Sequence, residues 1–440
     1  MSLSQLSESH QHTDLGQAMF DFMADLYPIC RSITGDGVRQ TLNRIRQEIP
    51  IEIHEVPSGT QVFDWVVPRE WNIRGAYIKN ADGETIVDFR DSNLHVVSYS
   101  IPIHGTIDCS ELKKHVFTLP DYPDWIPYRT SYYTESWGFC LTYRQFAKLK
   151  EEEKYEVNID ATLAPGSLTY GELLLPGETA DEILISCHVC HPSLCNDNLS
   201  GIALTTFLAK HLHEMRTRYA YRFLFIPGTI GSITWLARNR ENTDRIKHGL
   251  VVTCVGDPGK LTYKKSRQGN AEIDCAVQNV LKHAGSEYEV LDFVPYGYDE
   301  RQYCSPGFNL AVGSLTRTPH GRYAEYHTSA DNLDFVRSEC LADSLQKYLL
   351  VFDVLENNRR YRSLNPYCEP QLGKRGLYGP LGGKMDRHSR EMALLWVLNL
   401  SDGEHSLLDI AERANMEFWH IREAAKALVE CGLLKECTND

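Results

Sequence analysis

No run of apolar residues in this chain approaches the roughly 20 needed to cross a bilayer. The opening stretch MSLSQLSESHQHTD has no apolar core of the kind an export signal carries. Neither membrane insertion nor export is therefore expected, and the expected location is cytoplasmic. Positive charge is also in deficit. The formal net charge is −14, which opposes generic attachment to nucleic acid or anionic lipid. A disulfide framework does not suit the cysteines, which are thirteen, an odd number, scattered over a long chain. Reduced thiols, with a few possible metal ligands among them, are the expectation. Internal repeats and low-complexity tracts are missing too. What remains is an ordinary globular composition, 42% hydrophobic and 24% charged over 440 residues, long enough for two to four domains.

Residues 15–49 read as two helices. The second follows Thr34-Gly35-Asp36, carries Val38, Leu42 and Ile45 on one face and stops at Pro50. Ile51–Val56 alternates as a strand. From 62 to 149 the texture changes to dense tyrosine and tryptophan, recurring proline and short alternating runs such as Asn93–Tyr99. That is expected to be an inserted β-rich domain whose aromatics are chiefly core. After Leu163 strands and helices alternate. The strands are Glu182–Cys187, Tyr221–Ile226, Gly249–Val255, Tyr288–Phe293 and Leu310–Leu315; the helices are Gly201–Arg216, Ser232–Asn239, Ala271–His283 and Leu341–Glu356. The expected fold is α/β, a mostly parallel sheet with helices on both faces, assembled from 1–61 and 150–364.

A stretch rich in glycine and proline, 365–384, leads to a small unit at 385–440. Its helices Arg390–Leu400, Leu407–Ala414 and Phe418–Glu430, followed by a wing strand at Leu433–Lys435, have the layout of a winged helix-turn-helix. Six basic residues stand there against eleven acidic ones, and the would-be recognition helix carries Glu417, Glu423 and Glu430. Phosphate contacts need the opposite sign, so the unit is expected to make protein contacts or pair two copies of the chain rather than bind DNA.

The chain is organised around Ile183–Leu204, ILISCHVCHPSLCNDNLSGIAL. A buried strand runs into a turn holding His188, Cys190, His191, Cys195 and Asp197, and a helix follows. The carboxyl edge of an open α/β sheet is where ligands bind, and imidazole, thiolate and carboxylate are the donors that hold a zinc-like ion. The segment GLVVTCVGD offers Cys254 or Asp257 to the same edge, and Tyr326-His327-Thr328 lies between the last strand and the last helix. His191 is a second-rank candidate, to orient His188 or to add a ligand. A separate zinc site on Cys187, Cys190 and Cys195 lacks a second Cys-x-x-Cys pair.

The order His188, then Asn196-Asp197-Asn198-Leu199-Ser200-Gly201, then Tyr326-His327-Thr328 resembles the zinc aminopeptidases of the M28 type. The resemblance implies that His188, Asp197 and His327 are metal ligands, with zinc as the metal; the departures from the pattern set out below make one ion the expectation rather than two. The whole chain, including PSGTQVFDW, PGTIGSITWL and YGYDERQYCSPG, resembles a three-part bacterial family. That family joins an aminopeptidase-like domain, an inserted β domain and a winged helix, and is tied to surface-polysaccharide biosynthesis.

Departures from the M28 pattern bear on the chemistry. The carboxylate expected two residues after His188 is Cys190, and Pro227–Ser232 stands where a pair of glutamates should be. The ligand aspartate expected after the next strand falls near Thr253-Cys254. Glu300, with Asp299 second, is the expected substitute acid/base, set against a purely structural ion pair. Arg317 and Arg322 are anion-binding candidates or solvated loop charges. The expected activity is metal-dependent hydrolysis of an amide or related bond in a small molecule, peptide or aminosugar. The rival is a catalytically silent binder of metal or sugar on the same fold.

Overall fold

The computed structural model describes residues 9–377 and 387–437. The earliest residues of the chain, positions 378–386 of the Gly/Pro-rich stretch and the start of the C-terminal unit, and the last three residues lie outside them. Among the described residues no helix is long and apolar enough to cross a membrane.

Strand Glu182–His188 lies near the middle of an eight-stranded sheet, and all seven of its residues are buried. Its sequence, EILISCH, is a continuous rather than alternating run because both faces of the strand are covered. Ile183, Ile185 and Cys187 pack on one side with the helices, while Leu184 packs on the other with the β-rich region. The strand is parallel to Ala220–Ile226 on one flank and to Ile246–Val252 on the other. Val312–Thr316 extends this parallel core.

Antiparallel pairings flank the core. Ser167–Leu175 joins Ala220–Ile226 to the edge strand Glu52–Pro57, and Leu261–Lys264 runs against Val312–Thr316 and parallel to Tyr288–Leu291. The sheet is thus mixed, parallel at its centre. Helices Ser9–Leu26, Asp36–Arg46, Ser200–His213, Glu272–Lys282 and Ser338–Asn357 supply one layer; Ile230–Arg238 and the short Glu300–Tyr303 lie with the other.

A separate four-stranded antiparallel sheet is built from Glu70–Lys79, Thr85–Asp88, Ile103–Asp108 and Lys154–Ala164. Its loops reach the carboxyl edge of the main sheet. Tyr128 donates its N–H to the His327 carbonyl at 2.7 Å, and Ser329 donates its N–H to the Ile126 carbonyl at 2.8 Å.

The C-terminal unit takes a strand from ahead of the Gly/Pro-rich stretch. Arg360–Ser363 pairs with Asp402–Ser406 and with Leu434–Glu436. Ser406 and Asp409 form a capping box that starts helix Leu407–Ala414. The unit is docked firmly on the larger domain. The Asn279 side chain accepts from the Phe418 N–H at 3.2 Å and donates to Glu412 Oε1 at 2.7 Å. Arg422 pairs with the buried Asp353 at 2.8 Å.

Candidate metal centre

Chain geometry after Ser186 gathers donors in a small volume. His188 ends its strand, and the loop Val189–Leu194 turns back under Arg31. The buried Arg31 guanidinium donates to the carbonyls of His191, Pro192 and Leu26 at 2.7–2.8 Å. Burial pulls this group down to about 10, which still leaves it cationic near neutral pH. The next turn, Cys195–Leu199, departs from helical geometry at Asp197 and Asn198 before helix Ser200–His213 begins. Asp331 fixes that turn by accepting the N–H of Asn196 at 2.6 Å and of Asp197 at 3.0 Å. Burial pushes the Asp331 carboxyl up to about 8 against the pull of these N–H groups.

Three imidazoles converge on the Asp197 carboxylate. His188 Nε2 lies 2.8 Å from Oδ1, and His327 Nε2 lies 3.0 Å and His191 Nε2 3.8 Å from Oδ2. Donor atoms of His188, His191 and Asp197 all fall within 4.8 Å of one another. Burial would push the Asp197 carboxyl up, but the three imidazoles outweigh it and hold the group well below its usual range. Burial also lowers His191 to about 3, so it stays neutral with a lone pair to offer. His327 sits at φ 56°, in the left-handed region that a non-glycine residue occupies at a cost. The Tyr128 bond to its carbonyl helps hold it there, and its ring stacks on Tyr326 at 3.9 Å. Imidazole nitrogens gathered around a carboxylate are the donor chemistry of a zinc site.

The other predicted residues go elsewhere. Glu300 is buried and its Oε1 lies 2.8 Å from Lys264 Nζ, while both oxygens face the Tyr298 N–H. Its ionic partner is thus Lys264. Asp299 accepts from Ser232 Oγ at 2.9 Å on Oδ1, and its Oδ2 is buried without a partner. Burial raises Asp299 to about 7. Cys254 lies between Thr253 and Tyr323, and Asp257 accepts from Asn196, Gly259 and Thr318 as a structural hub. Arg317 is paired with Asp343 and Arg322 with Glu289. The Cys190 thiol lies beside His191 Nδ1 at 3.7 Å and the Tyr298 hydroxyl at 3.5 Å. It is therefore His191 that Cys190 accompanies; the amide nitrogen of Asn198 faces His188 Nδ1 at 3.3 Å.

Three contributors carried little signal in the sequence. Arg31 sits far from the motif and looks like a loop cation. Tyr128 belongs to the β-rich insertion. Tyr298, next to the acidic pair, lays its ring 3.8 Å from that of His188. Tyr298 also lines a cavity of about 210 Å³ together with Lys264, Glu300 and His320, and so stands between that cavity and His188.

A family model described as a domain of unknown function, DUF4910, matches residues 20–358. The chain belongs to the DUF4910 family. A winged helix-turn-helix model matches residues 359–436, so that unit begins at the strand ahead of the Gly/Pro-rich stretch. A Clostridium acetobutylicum protein named as a polysaccharide biosynthesis protein with an aminopeptidase-like domain is 56% identical over 423 residues, 96% of this chain and 97% of its own. A crystal structure of a Clostridium acetobutylicum protein described as a peptidase superposes with a TM-score of 0.94 at 53% identity, covering 99% of this chain and 100% of that one. Two distant structures share the fold over about three quarters of the chain. A zinc aminopeptidase from Bacillus subtilis has a TM-score of 0.56 at 11% identity, over 76% of this chain and 94% of that one. An M28 peptidase precursor from Shewanella amazonensis has a TM-score of 0.54 at 13% identity, over 79% and 95%. The fold is aminopeptidase-like, with a C-terminal winged helix.

Proposed function

We propose that this DUF4910 protein is a cytoplasmic metal-dependent hydrolase, cleaving an amide or related bond of a small molecule, peptide or aminosugar in surface-polysaccharide biosynthesis. One observation carries the reading: His188, His327 and His191 surround the single Asp197 carboxylate at the carboxyl edge of the sheet. His188, Asp197 and His327 would hold one zinc ion, with His191 at hand as a further ligand. A cation bound there supplies Lewis acidity and lowers the pKa of water. The chain's own groups do the rest. Arg31 and Asp331 keep the donor turn rigid, Tyr128 and Tyr326 keep His327 facing inward, and the cavity beside Tyr298 receives the substrate.

Asp299 fits the proton-accepting role better than Glu300. A base working near neutral pH needs a pKa close to 7, and the Glu300 carboxylate is engaged by Lys264. The alternative is a catalytically silent binder of metal or sugar, favoured by Pro227–Ser232, where no carboxylate stands. The winged-helix unit serves protein contact in either case. Recognition helices insert their N-terminal residues into the major groove, and here that end is capped by Asn279 of the larger domain.

The test is metal analysis of the purified chain, repeated on His188→Ala and His327→Ala, together with an amide-hydrolysis screen in added zinc. About one zinc per chain, lost in both variants, is expected. Equal metal content in all three proteins would remove the site. Metal that depends on the histidines without any turnover would leave the silent binder.

A further inference from the structure

Away from the imidazole cluster, the hairpin Gln61–Val62 and Trp65–Val66 faces helix Ile230–Arg238 and the loop after Glu300–Tyr303 across a cleft of about 420 Å³. That volume lies within the roughly 300–1,000 Å³ usual for small-ligand sites. Its apolar surface comes from Phe63, Trp65 and Phe308 together with Ile233. Phe63 is 47% and Trp65 44% exposed, and Phe308 stands edge-on to Phe63 at 5.9 Å. Phe63 occupies the first loop position of the hairpin at φ 54°, where glycine is favoured and a bulky side chain is a genuine outlier. Tyr133, edge-on to Trp65 at 5.4 Å, has φ 65°. Phe308 is half-buried against the core, but Phe63, Trp65 and Tyr133 remain largely open to water.

Three planar polar side chains share the cleft: Asp64, Arg240 and Gln302. Among the described residues none of the three makes a side-chain hydrogen bond or ion pair, although Gln302 is half-buried. The combination selects a ligand class. A fatty chain would match the rings but would strip water from a carboxylate and a guanidinium without replacing their hydrogen bonds. A phosphate or carboxylate would meet Asp64 as well as Arg240. A pyranose ring offers an apolar C–H face to stack on the aromatics, and neutral hydroxyls that can donate to Asp64 and accept from Arg240 and Gln302.

We propose that this cleft is a saccharide-binding site, separate from the metal centre, that stacks a hexopyranose unit on Trp65 and Phe63 and hydrogen-bonds it through Asp64, Arg240 and Gln302. It shares no residue with the imidazole cluster, so it stands whether or not that cluster is catalytic.

The experiment titrates the full-length chain with chitobiose and with cellobiose, by saturation-transfer NMR and calorimetry, using decanoate as an apolar control. Saturable binding of a disaccharide is expected, weakened about tenfold by Trp65→Ala as for loss of a stacking aromatic, reduced by Gln302→Ala and unchanged in His188→Ala. Trp65 is exposed, so its removal leaves the core intact, and circular dichroism checks this. The proposal is overturned if neither disaccharide saturates, if both cleft variants bind like the parent chain, or if His188→Ala abolishes binding. Binding of decanoate alone, or Trp65-dependent self-association without disaccharide binding, overturns it equally.

Discussion

Two parallel strands end side by side on the same edge of the sheet and are furnished in opposite ways. Glu182–His188 runs out into a turn where three imidazoles and a carboxylate meet. Its neighbour Ala220–Ile226 runs out into Pro227-Gly228-Thr229, with no ionisable side chain. A side chain at 228 has no room, because a Cβ there would lie 2.2 Å from Tyr298 Cε1. The Tyr298 ring thus packs against the stretch Pro227–Ser232, where the resemblance in sequence led to the expectation of a glutamate pair. On the proposed reading, holding a cation and accepting a proton are separable properties of this edge: the donors for the first gather at one strand end, and the second has to come from the turn at 298–300.

The sharpest division of labour between these regions concerns Asp299 and Glu300. Asp299→Asn should slow amide hydrolysis by about 10²–10⁴, the usual contribution of a general base, with zinc content unchanged. In the parent chain the rate should rise with pH and level off above about 7, since only the ionised carboxylate accepts a proton and burial holds this group at about 7. The same shift opposes folding as pH rises. A carboxyl whose folded pKa lies above its unfolded value favours the folded state most when protonated, so stability falls between about pH 4 and pH 7. Asp299→Asn should remove that slope and melt higher than the parent at pH 8. A rate indifferent to Asp299 would return the 298–300 turn to a structural role and favour the silent reading.

Glu300→Gln should appear in stability rather than chemistry. It leaves the buried Lys264 ammonium without its counter-charge, bonded only to the Tyr296 carbonyl, a loss of up to about 3–5 kcal/mol, readable by urea denaturation. Replacing both partners with apolar residues should recover most of it. A large rate effect with little loss of stability would instead make Glu300 the base.

Gly228→Ala probes the empty strand end itself. Tyr298 must shift off its place beside His188, and overpacking of this kind typically costs about 1–3 kcal/mol. Loss of zinc from this variant would mean that the two strand ends are coupled through the Tyr298 ring and are not independent.

The parts legible in the sequence were those that repeat. The continuous apolar run at 183–187 and the 3.6-residue period of Ser200–His213 and Phe418–Glu430 announce buried strand and helix without reference to anything distant. Ser167–Leu175 was not anticipated because Gly171 and the flanking Gly166 and Pro176 break its pattern; it is a strand because Glu52–Pro57 and Ala220–Ile226 pair with it on either side, with Ile51 and Leu42 closing over Gly171. Leu261–Lys264, four residues long, is too short to show a period. At the site, His188, Asp197 and His327 stood out because their residue types are donors. Arg31 and Tyr128 act only through where the chain folds, by bonding the backbone of His191 and His327, and no local pattern encodes such a bond. The partner of Glu300 was hidden for the same reason. Arg301 is its neighbour in sequence, yet Lys264, 36 residues away, is its neighbour in space.

The smallest expected effect makes the finest test of the comparison. Tyr298→Phe keeps the ring beside His188 and removes only the hydroxyl, whose polar contact is the Cys190 thiol at 3.5 Å. Sulfur is a weak hydrogen-bonding partner, and the thiol itself is pushed up to about 12 by burial, so it is neutral. The stability change should be about 0.5–1 kcal/mol and zinc content should not move. Turnover should stay within about threefold if the phenol merely fills space, because nothing in that contact carries a proton into the reaction. A fall of a hundredfold at unchanged zinc and unchanged melting would place the lost acid/base function on the Tyr298 hydroxyl. The bare strand end would then have been refurnished by an aromatic side chain reaching across from another loop, and the two strand ends would differ in chemistry rather than in whether they take part.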